Sequence, residues 1–165
     1  NIVQCSVLGH MFDVAAFSYL MSLEVNPSNE TLATQYFFMG VFHDLPECWT
    51  GDMPSPIKDA LPGLRKATEE FENRVMEQNV YSHLPAYMAT SLRSVMLEDE
   101  GNAHYKTFLK KSDNFSAFVE CWREVDAGSH HFYYCNVIIN DYKKKEALTH
   151  NFRILMEELY NSCHI

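Results

Sequence analysis

Only six glycines and six prolines occur among 165 residues, and alternating β-branched runs are nearly absent. A β-sandwich or barrel needs many such runs with a turn residue after each, so that class is excluded. No apolar stretch is long enough to span a bilayer, and no basic segment precedes an apolar one as in a secretory leader. The five cysteines, Cys5, Cys48, Cys121, Cys135 and Cys163, are odd in number and never form a C-x-x-C pair. Neither a disulfide framework nor a zinc ribbon is suggested, and the thiols read as reduced, which points to a cytoplasmic address. Positive charge is scarce as well: 13 Lys and Arg stand against 22 Asp and Glu, a formal charge of -9. This balance opposes binding to nucleic-acid polymers and anionic membranes. An anionic small substrate would need a local positive centre, and a metal ion would supply one.

What the sequence does contain is helical periodicity along most of its length. The expected fold is all-α, a compact multi-helix bundle in a single domain over residues 1–165. At this length a core can form without disulfides or a structural metal, so any metal can be spared for chemistry. The first helix is expected from an N-cap at Ser6 to Leu23, and the second from Glu30 to Leu45, stopped by Pro46. Further helices are expected over 62–79, 84–98, 103–127 and 141–163, with Gly101 and Gly128 as stop signals. The segment "HHFYYCNVII" suits a buried helix or a strand, and is read as helix. The chain starts at Asn1 and passes straight into a helical pattern, so a preceding N-terminal segment is expected.

Polar groups at inward positions carry the chemistry. His10, Val14, Phe17 and Met21 share one helical stripe, which turns His10 towards the core. His43 and Asp44 are adjacent at a helix end, with Glu47 one turn on. Asp113 lies inside an amphipathic helix among Leu109, Phe115, Phe118 and Val119, while Lys110, Lys111 and Glu120 are available for the solvated face. Aspartate is a poor helix former and is seldom buried without a partner. Imidazole and carboxylate together suit a borderline divalent ion such as Mn, Fe, Co, Ni or Zn. Spacing alone leaves two readings of each group open, since a His-Asp dipeptide is common and Asp113 could edge its stripe at the surface.

The order His10, then His43-Asp44, then Asp113 on helices of an all-α chain resembles the HD-domain superfamily of metal-dependent phosphohydrolases. Within it, "SVLGHMFDVA", "HDLPECWTGDMPSPIK" and "LKKSDNFSAFVECWREVDAG" are similar to three blocks of the HD-domain 5′-deoxynucleotidases, which cleave deoxynucleoside 5′-monophosphates. The most specific part is H-D-x-x-E-x-x-T-G-D followed by P-x-P-x-K. The resemblance implies that His10, His43, Asp44 and Asp113 ligate one divalent ion, that Glu47 is the catalytic acid/base, and that Asp52 contacts the sugar. It also implies a nucleotide substrate and a homodimer. Lys58 either steadies an anionic substrate group or is a solvated lysine opening the next helix, and its isolation favours the second. Thr50-Gly51 shapes the turn, with Gly51 free to adopt positive φ, and Pro54 and Pro56 stiffen the segment presenting Asp52.

Two departures stand out. The nucleotidases carry an Arg-Trp pair ahead of the first ligand helix that this sequence does not include, and Gly9 precedes His10 where they usually have an acidic residue. Two other functions compete. A binuclear HD phosphodiesterase or phosphonate hydrolase would recruit His83 and His104, although both read as solvent-exposed. A non-catalytic nucleotide-binding HD module would gain nothing from keeping Glu47 beside all four ligands.

Overall fold

The computed structural model describes residues 6–51, 53, 55–96, 103–128 and 148–162. These residues are mostly helical with no strand among them, and they fall into two units. The first unit takes its described residues from 6–41, 103–128 and 148–162, and the second from 42–96. The segment "HHFYYCNVII" read as helix lies outside the described residues, as does the expected stop at Gly101.

In the first unit, α1 (Val7–Val25) starts where expected because Ser6 is extended and its Oγ accepts from the Gly9 N–H at 3.0 Å. It ends before Asn26-Pro27, where the Asn26 N–H still reaches the Ser22 carbonyl. Asn29 opens α2 (Glu30–Phe42) by accepting from the Leu32 N–H at 3.0 Å. The Glu30 charge in the first turn favours that end of the helix dipole. Ala15 and Gly40 set the spacing of α1 and α2, since a Cβ on Gly40 would stand 2.5 Å from the Ala15 Cα. The long α7 (Ala103–Asp126) packs along α1, and α8 (His150–Ser162) closes the core.

Met21, Tyr36, Phe108, Phe115, Phe118, Val119, Phe152 and Met156 form that core. Phe115 meets Phe17 and Phe152 edge-on, with centroids 4.8 and 5.1 Å apart. Full burial of such a side chain contributes about 1.5–3 kcal/mol, so this cluster dominates the stability of the unit. Glu24 at the end of α1 accepts from Thr149 Oγ1 and from the Asn151 N–H, capping α8 with a carboxylate.

The second unit is built from shorter pieces. These are α3 (Glu47–Thr50), α4 (Ser55–Ala60), α5 (Leu64–Asn79), a 3-10 turn at Tyr81–His83 and α6 (Ala86–Met96). Gly51 ends α3 at φ 72 and Gly63 opens α5 at φ 82, both in the left-handed range that suits glycine. Arg93 of α6 stacks 4.3 Å over the Tyr81 ring and pairs with Glu77 of α5.

The expected second helix is too long by three residues. It stops at Phe42, and residues 43–46 form a turn in which Leu45 N–H bonds Phe42 O and Glu47 N–H bonds Asp44 O. Pro46 is not the stop. It stands immediately before α3, where a missing N–H is not needed.

Candidate functional site

In the first unit, α1 and α7 bring His10 and Asp113 together across more than a hundred residues of sequence. His10 Nε2 lies 3.2 Å from Asp113 Oδ1, and the two side chains are 19% and 21% exposed. The other ring nitrogen, Nδ1, is 2.9 Å from Glu120 Oε1 and 3.3 Å from Ser116 Oγ. Asp113, Ser116 and Glu120 fall at i, i+3 and i+7 of α7, hence on one stripe facing α1. Fully buried Ser112 and Ser116 keep the seam between these helices narrow. Asp13 and Arg123 pair at its edge, 3.0 Å apart.

Glu120 corrects the sequence reading that left it for the solvated face. It is 29% exposed and bonded to His10, two turns along α7 from Asp113. Lys110 does lie on the solvated face, 66% exposed, and pairs with Asp113 Oδ2.

The two carboxylates raise the His10 pKa from the ordinary 6.5 to about 10, Asp113 through the larger effect and Glu120 next, against the opposing effect of burial. The two carboxylates thus favour the protonated ring, and a cation binding at Nε2 has to displace that proton. The donor set fits a divalent ion. Asp113 offers an oxygen beside Nε2, while Glu120 accepts from Nδ1–H and so favours the tautomer in which Nε2 can ligate once it has lost its proton.

In the second unit, the turn after α2 sets His43 Nε2 3.0 Å from Asp44 Oδ2, with the side chains 13% and 27% exposed. The tight turn places neighbouring residues' side chains on one side of the backbone, which a continued helix would not have done. Glu47 opens α3 and is 17% exposed, with Oε1 3.8 Å from the Lys58 ammonium. Lys58 is equally close to Glu72 Oε1 on α5 and only 16% exposed. The reading of Lys58 as a solvated lysine is thus overturned, because two carboxylates on different helices draw it inward. Glu72 was not singled out in the sequence, and nothing in its local pattern marks it.

Asp52 lies outside the described residues, as do Pro54 and the His104 and Pro56 side chains. His83 is exposed, as expected, with Nδ1 3.0 Å from Ser82 Oγ. Cys48 is an exposed free thiol. Among the described residues no helix is long and apolar enough to cross a membrane.

An all-α chain in which a His on one helix faces an Asp on another, with a His-Asp pair at residues 43–44 of the sequence, has the pattern of the HD-domain superfamily. The chain belongs to the YfbR-like 5′-deoxynucleotidase family, whose profile matches residues 1–162. It is similar to the 5′-deoxynucleotidase of Photobacterium profundum, 29% identical over 125 residues, covering 74% of this chain and 64% of the relative. It also resembles those of Vibrio vulnificus, 26% identical over 129 residues (77% and 66%), and Shewanella oneidensis, 27% over 134 residues (80% and 68%). The chain thus spans about two thirds of the length of these curated relatives, 64–68%.

Proposed function

We propose that this chain is the metal-dependent catalytic region of a phosphomonoesterase that releases phosphate from deoxynucleoside 5′-monophosphates. The observation that carries the reading is the His10–Asp113–Glu120 arrangement in a chain of the YfbR-like family. His10, His43, Asp44 and Asp113 would hold one divalent ion, Co, Mn, Fe, Ni or Zn. When bound, such an ion polarises a phosphoryl oxygen and lowers the pKa of its water. Glu47 takes the proton of the attacking water and returns it to the leaving sugar oxygen. Lys58, already facing Glu47, adds positive charge beside the anionic substrate. Asp52 accepts a hydrogen bond from a sugar hydroxyl. The protein acts in the cytoplasm as a homodimer.

The test is phosphate release by the full-length protein from a panel of deoxynucleoside and ribonucleoside 5′-monophosphates, triphosphates and cyclic nucleotides, with Co or Mn and after chelation. Release chiefly from the deoxynucleoside 5′-monophosphates, lost on chelation, is expected. Preference for a cyclic diester or phosphonate over every monophosphate would transfer the reading to a binuclear hydrolase. Metal-bound protein that binds nucleotides without turnover would be the non-catalytic module.

A further inference from the structure

We infer that Glu72 is a positioning residue for the Glu47 carboxylate, acting through Lys58. The inference rests on the phosphomonoesterase reading, in which Glu47 moves the proton. Glu47 stands on α3, a single turn of four residues, too short to hold its own geometry through backbone hydrogen bonds. Contacts from outside α3 must therefore fix where the carboxylate points.

The Lys58 ammonium lies 3.8 Å from Glu47 Oε1 and 3.8 Å from Glu72 Oε1. The three side chains are only 16–19% exposed, whereas the surface pair Lys66–Glu70 is 80% and 62% exposed. Water and salt screen the first group much less than the second, so its geometry carries more energy. Lysine is a compact charge on a flexible four-carbon stem. Held by Glu47 alone, it could swing with that carboxylate or leave it for an arriving phosphate dianion. Held also by Glu72, it is fixed between two helices. Glu72 is itself on the sixteen-residue α5, which is anchored by buried Thr68, Val75 and Met76. Position is therefore passed from a long, anchored helix through Lys58 to a residue on a short one.

The experiment uses full-length protein loaded with Co or Mn and a deoxynucleoside 5′-monophosphate, and compares Glu72→Gln, Lys58→Met and the double variant. Glu72→Gln is expected to lower kcat about tenfold or more, because small displacements of a reacting group have effects of that order. KM, bound metal and the thermal midpoint should stay near wild type. In the Lys58→Met background the same substitution should lower kcat no further, since the path through Lys58 is already cut. Glu72→Asp, which keeps the charge and shortens the reach, should fall between Glu72→Gln and wild type, and it carries the test if Glu72→Gln does not fold. Equal kcat effects with and without Lys58, a rise in KM at constant kcat, or loss of bound metal would each overturn the inference. Additive effects in an active enzyme sink this inference alone, whereas a wild type that releases no phosphate from any monophosphate sinks the phosphomonoesterase reading and this inference with it.

Discussion

The two units place their candidate ligands by different means. In the first, His10 and Asp113 ride on helices of 19 and 24 residues whose seam is packed by Phe17, Phe115 and Phe118. In the second, His43, Asp44 and Glu47 sit in a turn and a four-residue helix, near a lysine shared by two carboxylates. Close packing resists displacement of a side chain by a few tenths of an ångström. The half-buried ion pairs around Lys58 hold a position only while every partner is kept. The first unit therefore supplies a rigid pair of donors, while the second supplies groups whose positions depend on a few polar contacts.

The sharpest way to break this comparison is to remove a donor from the rigid half. Asp113→Ala should lower phosphate release by more than about a hundredfold, because even outer-shell partners of a metal ligand are worth 10–100-fold. The rise in thermal midpoint on adding Co or Mn should vanish as well. Preserved metal-dependent stabilisation in that variant would show that Asp113 is no ligand.

Glu47→Ala in the other half should lose turnover by about 10²–10⁴-fold and keep the metal-dependent rise in midpoint, as the proposed acid/base role requires. A near-normal rate would move the proton chemistry elsewhere. Glu120→Ala should come next, weakening metal affinity by about 10–100-fold while leaving kcat at saturating metal much less changed. A metal titration that overlays wild type would separate Glu120 from the centre.

How much of this could be read in the sequence follows the same division. His10 and Asp113 were legible because a helix repeats its face every three to four residues, and both fell on apolar stripes of long helices. The stripe that exposed Asp113 also passes through Glu120, but a glutamate one turn from Arg123 looks like any solvated residue until the opposing helix is known. The sequence carries the second helix three residues too far, to Leu45, because Pro46 reads as a terminator, whereas it stands ahead of α3. A sequence cannot announce that residues 43–46 will close as a turn when each of their neighbours tolerates helix. Lys58 and Glu72 were illegible for a simpler reason: an ion pair between helices has no period. The family blocks located Lys58, while its partners needed coordinates.

Glycines sharpen the comparison at the level of stability. Gly40 sits where its helix touches the backbone of Ala15, so Gly40→Ala must push α1 and α2 apart. A loss of about 1–3 kcal/mol is expected from such overpacking, read from denaturant midpoints of the chelated protein. Gly63, at φ 82, has open space around its Cα, so Gly63→Ala should lose only the conformational preference, about 1 kcal/mol. The reverse order would mean that the first unit is the more forgiving of the two.

The smallest effect expected is a gain. Tyr36 is 1% exposed in the core of the first unit, its ring 4.4 Å from Phe108 and 5.2 Å from Tyr105 by centroids. Among the described residues its hydroxyl has no hydrogen-bond partner. A buried hydroxyl without a partner loses its hydration and recovers nothing, so Tyr36→Phe should leave stability unchanged or raise it by about 1 kcal/mol at neutral pH. The difference should widen in alkali. Burial first, and Tyr105 second, push the Tyr36 pKa up from 10 to about 12, which means that the fold holds the neutral phenol while the unfolded chain ionises. The stability that Tyr36 contributes is then fully present below pH 10 and lost as the pH rises towards 12, whereas phenylalanine has nothing to titrate. Unfolding of both proteins in denaturant at pH 7 and again above pH 10 gives the comparison. If Tyr36→Phe is instead less stable at pH 7 by about 1 kcal/mol or more, the hydroxyl has a partner beyond the described residues, and the core of the rigid unit holds a polar contact after all.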